Sequence, residues 1–218
     1  MQRRAFSLTL LGASAATLAL PAAAQTPAQR GPVEGTHFVR LNQPIATTAG
    51  PGKIELLEFF WYGCPHCAAF EPMLDAWAKR LPPDVAFQRV PVAFSAEPYT
   101  AHQRIFFALD TLGLVAAMQK KVFYAIHQKQ MRLDKPADIT AFMAANGVDV
   151  AKFNEAYSSF STDTRRKRAN QLADGYKIDG VPALGVHGRF FTSGTLAGDH
   201  ERALEVAEML IQRVRKAG

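Results

Sequence analysis

Glu58-Phe59-Phe60-Trp61-Tyr62-Gly63-Cys64-Pro65-His66-Cys67-Ala68 holds both cysteines of this 218-residue chain and its clearest strand-to-helix junction. Upstream, Ile54 to Tyr62 is an apolar run of the kind that forms a strand buried on both faces, and Gly63 turns the chain out of it. Downstream, Pro65 suits the first helical position, where its missing N–H would have had no intrahelical partner. Cys64 therefore falls at or beside the N-cap and Cys67 one turn in, on one face of the helix and close enough to alternate between disulfide and dithiol. Unpaired N–H groups and the positive end of the helix dipole favour a thiolate at Cys64. His66, when charged, adds to that preference, and Cys67 is expected to be the more buried, resolving sulfur. Both effects act only on the reduced form, because a disulfide carries no charge. A pair whose reduced form is stabilised gives up its disulfide readily, which makes it an oxidant. The other reading of a CxxC, half of a structural zinc site, needs four ligands. The chain has neither a second cysteine pair nor a closely spaced histidine pair, so no metal is expected.

Glu58 alternates with Leu56 and Phe60 and points to an otherwise apolar face. An acid there either reaches the rim of the sheet or is buried, and burial raises its pKa. The stretch LEFFWYGCPHCAAFEP, Leu57 to Pro72, joined by DGVPALGVHGRF, Asp179 to Phe190, resembles the DsbA family of periplasmic thiol:disulfide oxidoreductases. The resemblance runs from about His37 to the C-terminus, in motif at both ends and in pattern through the middle third. It implies a thioredoxin-like α/β fold with an inserted α-helical domain. It also implies that Glu58 is the family's buried glutamate, which moves protons to and from the inner cysteine. The family commonly pairs that acid with a lysine on the next strand, and here the nearest match is Arg89. Arginine does not give up its proton, so charge compensation is expected of Arg89 rather than proton sharing. By the same resemblance Val181-Pro182 is a cis peptide facing the CxxC, with the Val181 backbone offering hydrogen bonds to an incoming peptide. No cofactor is needed.

The remaining chain supports that dithiol. Residues 1–24 read as a cleaved signal peptide: Arg3 and Arg4, an uncharged apolar stretch from Leu8 to Leu20, then Ala22-Ala23-Ala24 before Gln25. The pair Arg3-Arg4 in QRRAFSL partly resembles a twin-arginine signal, with general secretion equally compatible. Either route leads to an oxidising compartment, the periplasm, as a soluble mature protein. Without residues 1–24, 23 basic and 19 acidic residues remain, a net charge of +4 that argues against dedicated nucleic-acid binding. Residues 25–36 form a polar leader. Residues 37–97 and 177–218 make the thioredoxin-like domain, with strands at His37 to Leu41, Ile54 to Tyr62 and Val85 to Phe94, the last broken at Pro91. Between them, residues 98–176 show helical spacing without strand signals, an inserted domain of four or five short helices. Met73, Leu74 and Trp77 are expected beneath the first helix, and Arg165-Arg166-Lys167-Arg168 on a solvated face. The histidines at 37, 102, 127, 187 and 200 show no metal-like spacing and read as surface or satisfied residues.

These features give an exported, monomeric dithiol oxidase that donates a Cys64–Cys67 disulfide to unfolded exported proteins with free cysteines. The resemblance adds a quinone-linked inner-membrane reoxidant of the DsbB type. Two alternatives stand beside it: a disulfide isomerase or reductase, and a peptide-binding chaperone with an incidental dithiol.

Overall fold

The computed structural model describes residues 31–217; the expected signal peptide and the first half of the leader lie outside them. The central strand β2 (Ile54–Phe60) is buried along its whole length. It hydrogen-bonds in parallel to β3 (Val85–Pro91) and antiparallel to β4 (Ala183–Val186). The hairpin partner β5 (Phe190–Ser193) and the two-residue β1 (Val39–Arg40) complete a sheet of order β1-β5-β4-β2-β3. Side chains of β2 divide between its faces. Ile54 and Leu56 pack with Phe70, Leu74 and Trp77 of α1 (Pro65–Ala78) and with the apolar stripe of α8 (His200–Ala217). Leu57 and Phe59 pack instead with the five helices that intervene between β3 and β4. These are α2 (Tyr99–Thr111), α3 (Val115–His127), α4 (Pro136–Ala145), α5 (Val150–Ser158) and α6 (Phe160–Tyr176). A four-residue turn of helix, α7 (Gly194–Ala197), links β5 to α8.

A strand buried on both faces has no solvent side on which to place polar residues, yet β2 carries two acids. Glu55, 2% exposed, accepts hydrogen bonds from Thr48 N–H at 2.7 Å and Thr48 Oγ1 at 2.9 Å. Glu58 is fully buried and is held differently, as described below.

Several expectations are corrected in detail. The first strand is shorter than His37 to Leu41, because residues 35–37 form a turn closed by a Glu34–Phe38 bridge. The third strand stops at Pro91, which cannot donate to the ladder, and leaves Phe94 45% exposed. Met73 is 42% exposed because it falls off the buried stripe Cys67, Phe70, Glu71, Leu74, Trp77. The basic run is only half solvated: Arg165 bonds Asp110 of α2, and Arg166 bonds Asp163 at 2.9 Å and Gln103 at 3.4 Å, fastening α6 to α2. A second cis peptide, Glu97-Pro98, accompanies the expected one at Val181-Pro182.

The end of the insertion is tied to β2 and to the β4–β5 hairpin through Tyr176. Tyr176, at the end of α6, is buried with its ring 5.1 Å from that of Phe59, and its hydroxyl accepts the Gly188 N–H at 2.7 Å. Gly185 makes room for that ring, since a Cβ there would lie 2.6 Å from Tyr176 Cε1 and 3.0 Å from Phe59 Cε2. Gly185→Ala should therefore destabilise the fold by about 1–3 kcal/mol through overpacking and lower the melting temperature by several degrees. An unchanged melting temperature would show that Tyr176 is not pinned as described.

Candidate active site

Cys64 is the N-cap of α1, with φ −82° and ψ 118°, and Pro65 follows at the first helical position. The Cys67 N–H donates to Cys64 Sγ at 3.4 Å, and the Cys64 thiol lies 3.3 Å from the Val181 carbonyl, which accepts from it. Both cysteines are free thiols in this structure. Cys67 is fully buried, and Cys64 is also more enclosed than its sequence position suggests, at 7% exposed. The loop carrying cis Val181-Pro182 lies against it, and a cavity of about 680 Å³ opens beside that loop between His66, Val181, Pro182, Phe191, Leu196 and His200. His66 itself is exposed.

The two thiols are driven apart in acidity. Cys64 is lowered from 9.0 to about 6, first by hydrogen bonding to the Cys67 thiol, against burial, and then by the backbone N–H groups of Cys67 and His66. The His66 charge contributes last, a smaller part than its place between the cysteines suggests. Cys67 moves far upward, mainly through burial and then through the neighbouring Cys64, with the Glu58 charge adding to the rise.

Beneath the dithiol sits a cluster of two carboxylates and one guanidinium. Arg89, opposite Glu58 in the β2–β3 register, places Nη2 2.9 and 3.1 Å from the two oxygens of Glu71. Its Nε lies 3.0 Å from Glu58 Oε2, but off the line a hydrogen bond requires. Neither Glu58 oxygen receives a directed hydrogen bond among the described residues. Arg89 thus serves Glu71 well and Glu58 by charge alone. Burial raises Glu58 to about 8; the Arg89 charge opposes that rise and the Glu71 charge adds to it. Arg89 also lines a cavity of about 280 Å³ with Phe87, Phe106, Asp110 and Arg165, where the cluster meets the surface.

Cys64, Pro65, His66, Cys67, Val181 and Pro182 come together as the sequence suggests, and Glu58 lies beneath them. Glu71 was not anticipated. Its signal is present, since it stands four residues after Cys67 on the helix stripe that must face the sheet. Two histidines of the insertion are satisfied at Nε2 by backbone carbonyls. His102 is 2% exposed, stacked 5.9 Å from Trp61, with Nε2 bonded to the Arg132 carbonyl at 2.9 Å, and His127 bonds the backbone just before Cys64.

A central strand feeding a CxxC at a helix N-terminus, with a cis proline loop opposite, defines a thioredoxin-like dithiol protein. Residues 55–201 match the model of the DSBA-like thioredoxin domain, and the chain belongs to that family. It is 42% identical to the thiol:disulfide interchange protein DsbA of Bordetella parapertussis, across 99% of this chain and 100% of that one. With the protein of the same name from Azotobacter vinelandii it shares 39% identity, across 84% and 85% of the two chains. The crystal structure of Pseudomonas aeruginosa DsbA superposes with a TM-score of 0.82 at 38% identity, covering 85% of this chain and 95% of that one.

The raised pKa of Glu58 makes stability depend on pH. Between its ordinary value of 4.5 and about 8 the folded protein keeps a proton that the unfolded chain has released, so stability falls as pH rises across that window. In the oxidised protein, where neither cysteine titrates, Glu58→Gln should remove this slope, at most about 1.4 kcal/mol per pH unit. The variant should be more stable than the parent at pH 8 and gain little at pH 4.5. Parallel stability curves over that range would mean that Glu58 is ionised in the native state.

Proposed function

We propose that this chain is an exported thiol:disulfide oxidoreductase that passes a Cys64–Cys67 disulfide to unfolded client proteins in the periplasm. The observation that carries this reading is the asymmetry of the dithiol: one sulfur stands at the helix N-cap, accepts the Cys67 N–H and keeps some exposure, and the other is sealed in the core. A client thiolate attacks Cys64 Sγ of the disulfide, a mixed disulfide forms, and the bonding pair of the old S–S bond leaves on Cys67. Cys67 holds a negative charge poorly, so its departure needs a proton. Glu58, protonated at neutral pH and near enough for its charge to act on Cys67, is placed to supply it. A second client thiolate then attacks the client sulfur of the mixed disulfide, and Cys64 leaves as a thiolate that is stable at pH 7. The client gains a disulfide and Cys64 and Cys67 gain its two electrons.

Pro182 supplies no N–H of its own, while the Val181 backbone lies at the edge of the cavity, open to an extended client segment. Regeneration of the disulfide requires an electron acceptor, which we assign to a quinone-linked inner-membrane protein of the DsbB type. Signal-directed export fits residues 1–24, and among the described residues no helix is long and apolar enough to cross a membrane. The client pool is exported proteins with free cysteines, met by the oxidase as a monomer. We assign it no nucleic-acid partner, metal or cofactor.

Mixing the oxidised protein with a reduced two-cysteine peptide should give one peptide disulfide per protein, with Cys64 and Cys67 left reduced. Failure to transfer would sink the oxidase reading, and a Cys64→Ser, Cys67→Ser double variant that still suppressed aggregation of a cysteine-free client would favour a chaperone. Among single variants, Cys67→Ala should raise the Cys64 pKa from about 6 by more than His66→Ala does, because the inner thiol is the larger stabiliser. Offered a client that already carries a disulfide, the Cys64 thiolate of Cys67→Ala should break that bond and hold the client as a mixed disulfide that no inner thiol can resolve. The opposite ranking in a thiolate absorbance titration would make His66 the larger stabiliser.

A further inference from the structure

Tyr62, two residues before the nucleophile, is held at both ends by one helix of the insertion. Its hydroxyl, kept protonated by burial, donates to Gln119 Oε1 at 2.6 Å. Its carbonyl lies 2.8 Å from His127 Nε2, and since a carbonyl can only accept, that nitrogen carries the ring proton and donates. Between these contacts Phe123 packs edge-on against the Tyr62 ring, with centroids 5.1 Å apart, and stacks on His127 at 6.2 Å. Gln119, Phe123 and His127 are spaced four and four residues along α3 and so share one face.

The carbonyl matters because of where it sits. Cys64 N–H donates to the Trp61 carbonyl at 3.0 Å, which closes a turn with Tyr62 and Gly63 as its central residues. In such a turn the peptide between the central residues can rotate, and a glycine in the second central place tolerates either orientation. Gly63 does not adopt the positive φ of the flipped form. Rotation would take the Tyr62 carbonyl away from His127.

We propose that His127 is a positioning residue of the redox site: by donating to the Tyr62 carbonyl it fixes the orientation of the turn that places Cys64 at the helix N-cap. The inference rests on the dithiol reading above and extends it to α3. The effect differs between redox forms. In the disulfide, Cys64 is held by its covalent bond, whereas the thiolate depends on backbone placement over the Cys67 N–H. Losing the donor therefore weakens the reduced form more than the oxidised one, and the protein becomes a poorer oxidant.

The test compares the parent, His127→Gln and His127→Leu by thiolate absorbance titration and by equilibrium with glutathione. A net hydrogen bond limits the effect to roughly two- to tenfold. His127→Leu should move the glutathione equilibrium that far toward the disulfide and raise the Cys64 titration midpoint, while His127→Gln, which keeps an N–H donor, should stay within about twofold of the parent. A leucine variant indistinguishable from the parent, or a glutamine variant shifted as far as leucine, overturns the proposal. Independently of any variant's folding, nitrogen-15 shifts of the parent should place the neutral His127 proton on Nε2, and a proton on Nδ1 overturns it. A parent that shows no acidic thiolate at all would instead count against the oxidase reading.

Discussion

The fold depends on one placement: a thiol at the open end of a helix, at the tip of a strand that has no solvent face. The N-terminal N–H groups of α1 have no partners within the helix and point at whatever stands at the N-cap. Here that is a sulfur, and Pro65 removes the one N–H that would have pointed elsewhere. Because β2 is covered by α1 and α8 on one side and by the insertion on the other, the second sulfur, one turn deeper, lies beyond the reach of water. Hydrogen bonds at the helix N-terminus therefore make one cysteine a good leaving group against the effect of burial, and burial makes the other a poor one.

Charge inside this arrangement is rationed by geometry. A single guanidinium faces two carboxylates, and it engages Glu71 through two short contacts while meeting Glu58 off line. Full ionisation would leave an uncompensated negative charge on a buried acid, so the cluster holds a proton at neutral pH, and Glu58, the fully buried and less well served acid, is where it resides. Arginine suits the compensating position for the reason it cannot share the proton: it stays charged. Compensation and proton storage thus fall to different side chains.

The sequence made the dithiol legible because its signals are local. An apolar strand, a glycine turn and a proline at the first helical position occupy adjacent residues, and each acts through its own backbone. Pro182 was legible only through resemblance, since nothing in Val181-Pro182 itself sets its isomer. Glu71 could have been read from helix periodicity, but an acid on a helix stripe normally means a solvated edge, and only the sheet packed against α1 shows that this one is sealed. The solvated reading of the Arg165 to Arg168 run failed for a related reason. Clusters of like charge look external in one dimension, while Asp110, Gln103 and Asp163 that neutralise or bond two of them come from other turns and another helix.

The insertion is where sequence reading ran out and where the structure adds most. Helical spacing identified its helices, but spacing describes which face is buried and not what that face holds. One face of α3 reaches the turn before Cys64 through Gln119, Phe123 and His127, while α2 stacks Tyr99 and His102 against the Trp61 ring, with centroids 4.1 and 5.9 Å away. These contacts converge on Trp61 and Tyr62, the residues that separate the rigid strand from the reactive helix. A glycine-containing junction is the softest part of such a site. The helices supply the stiffness that the junction's own sequence lacks, so the insertion belongs to the redox site as well as to the surface around it.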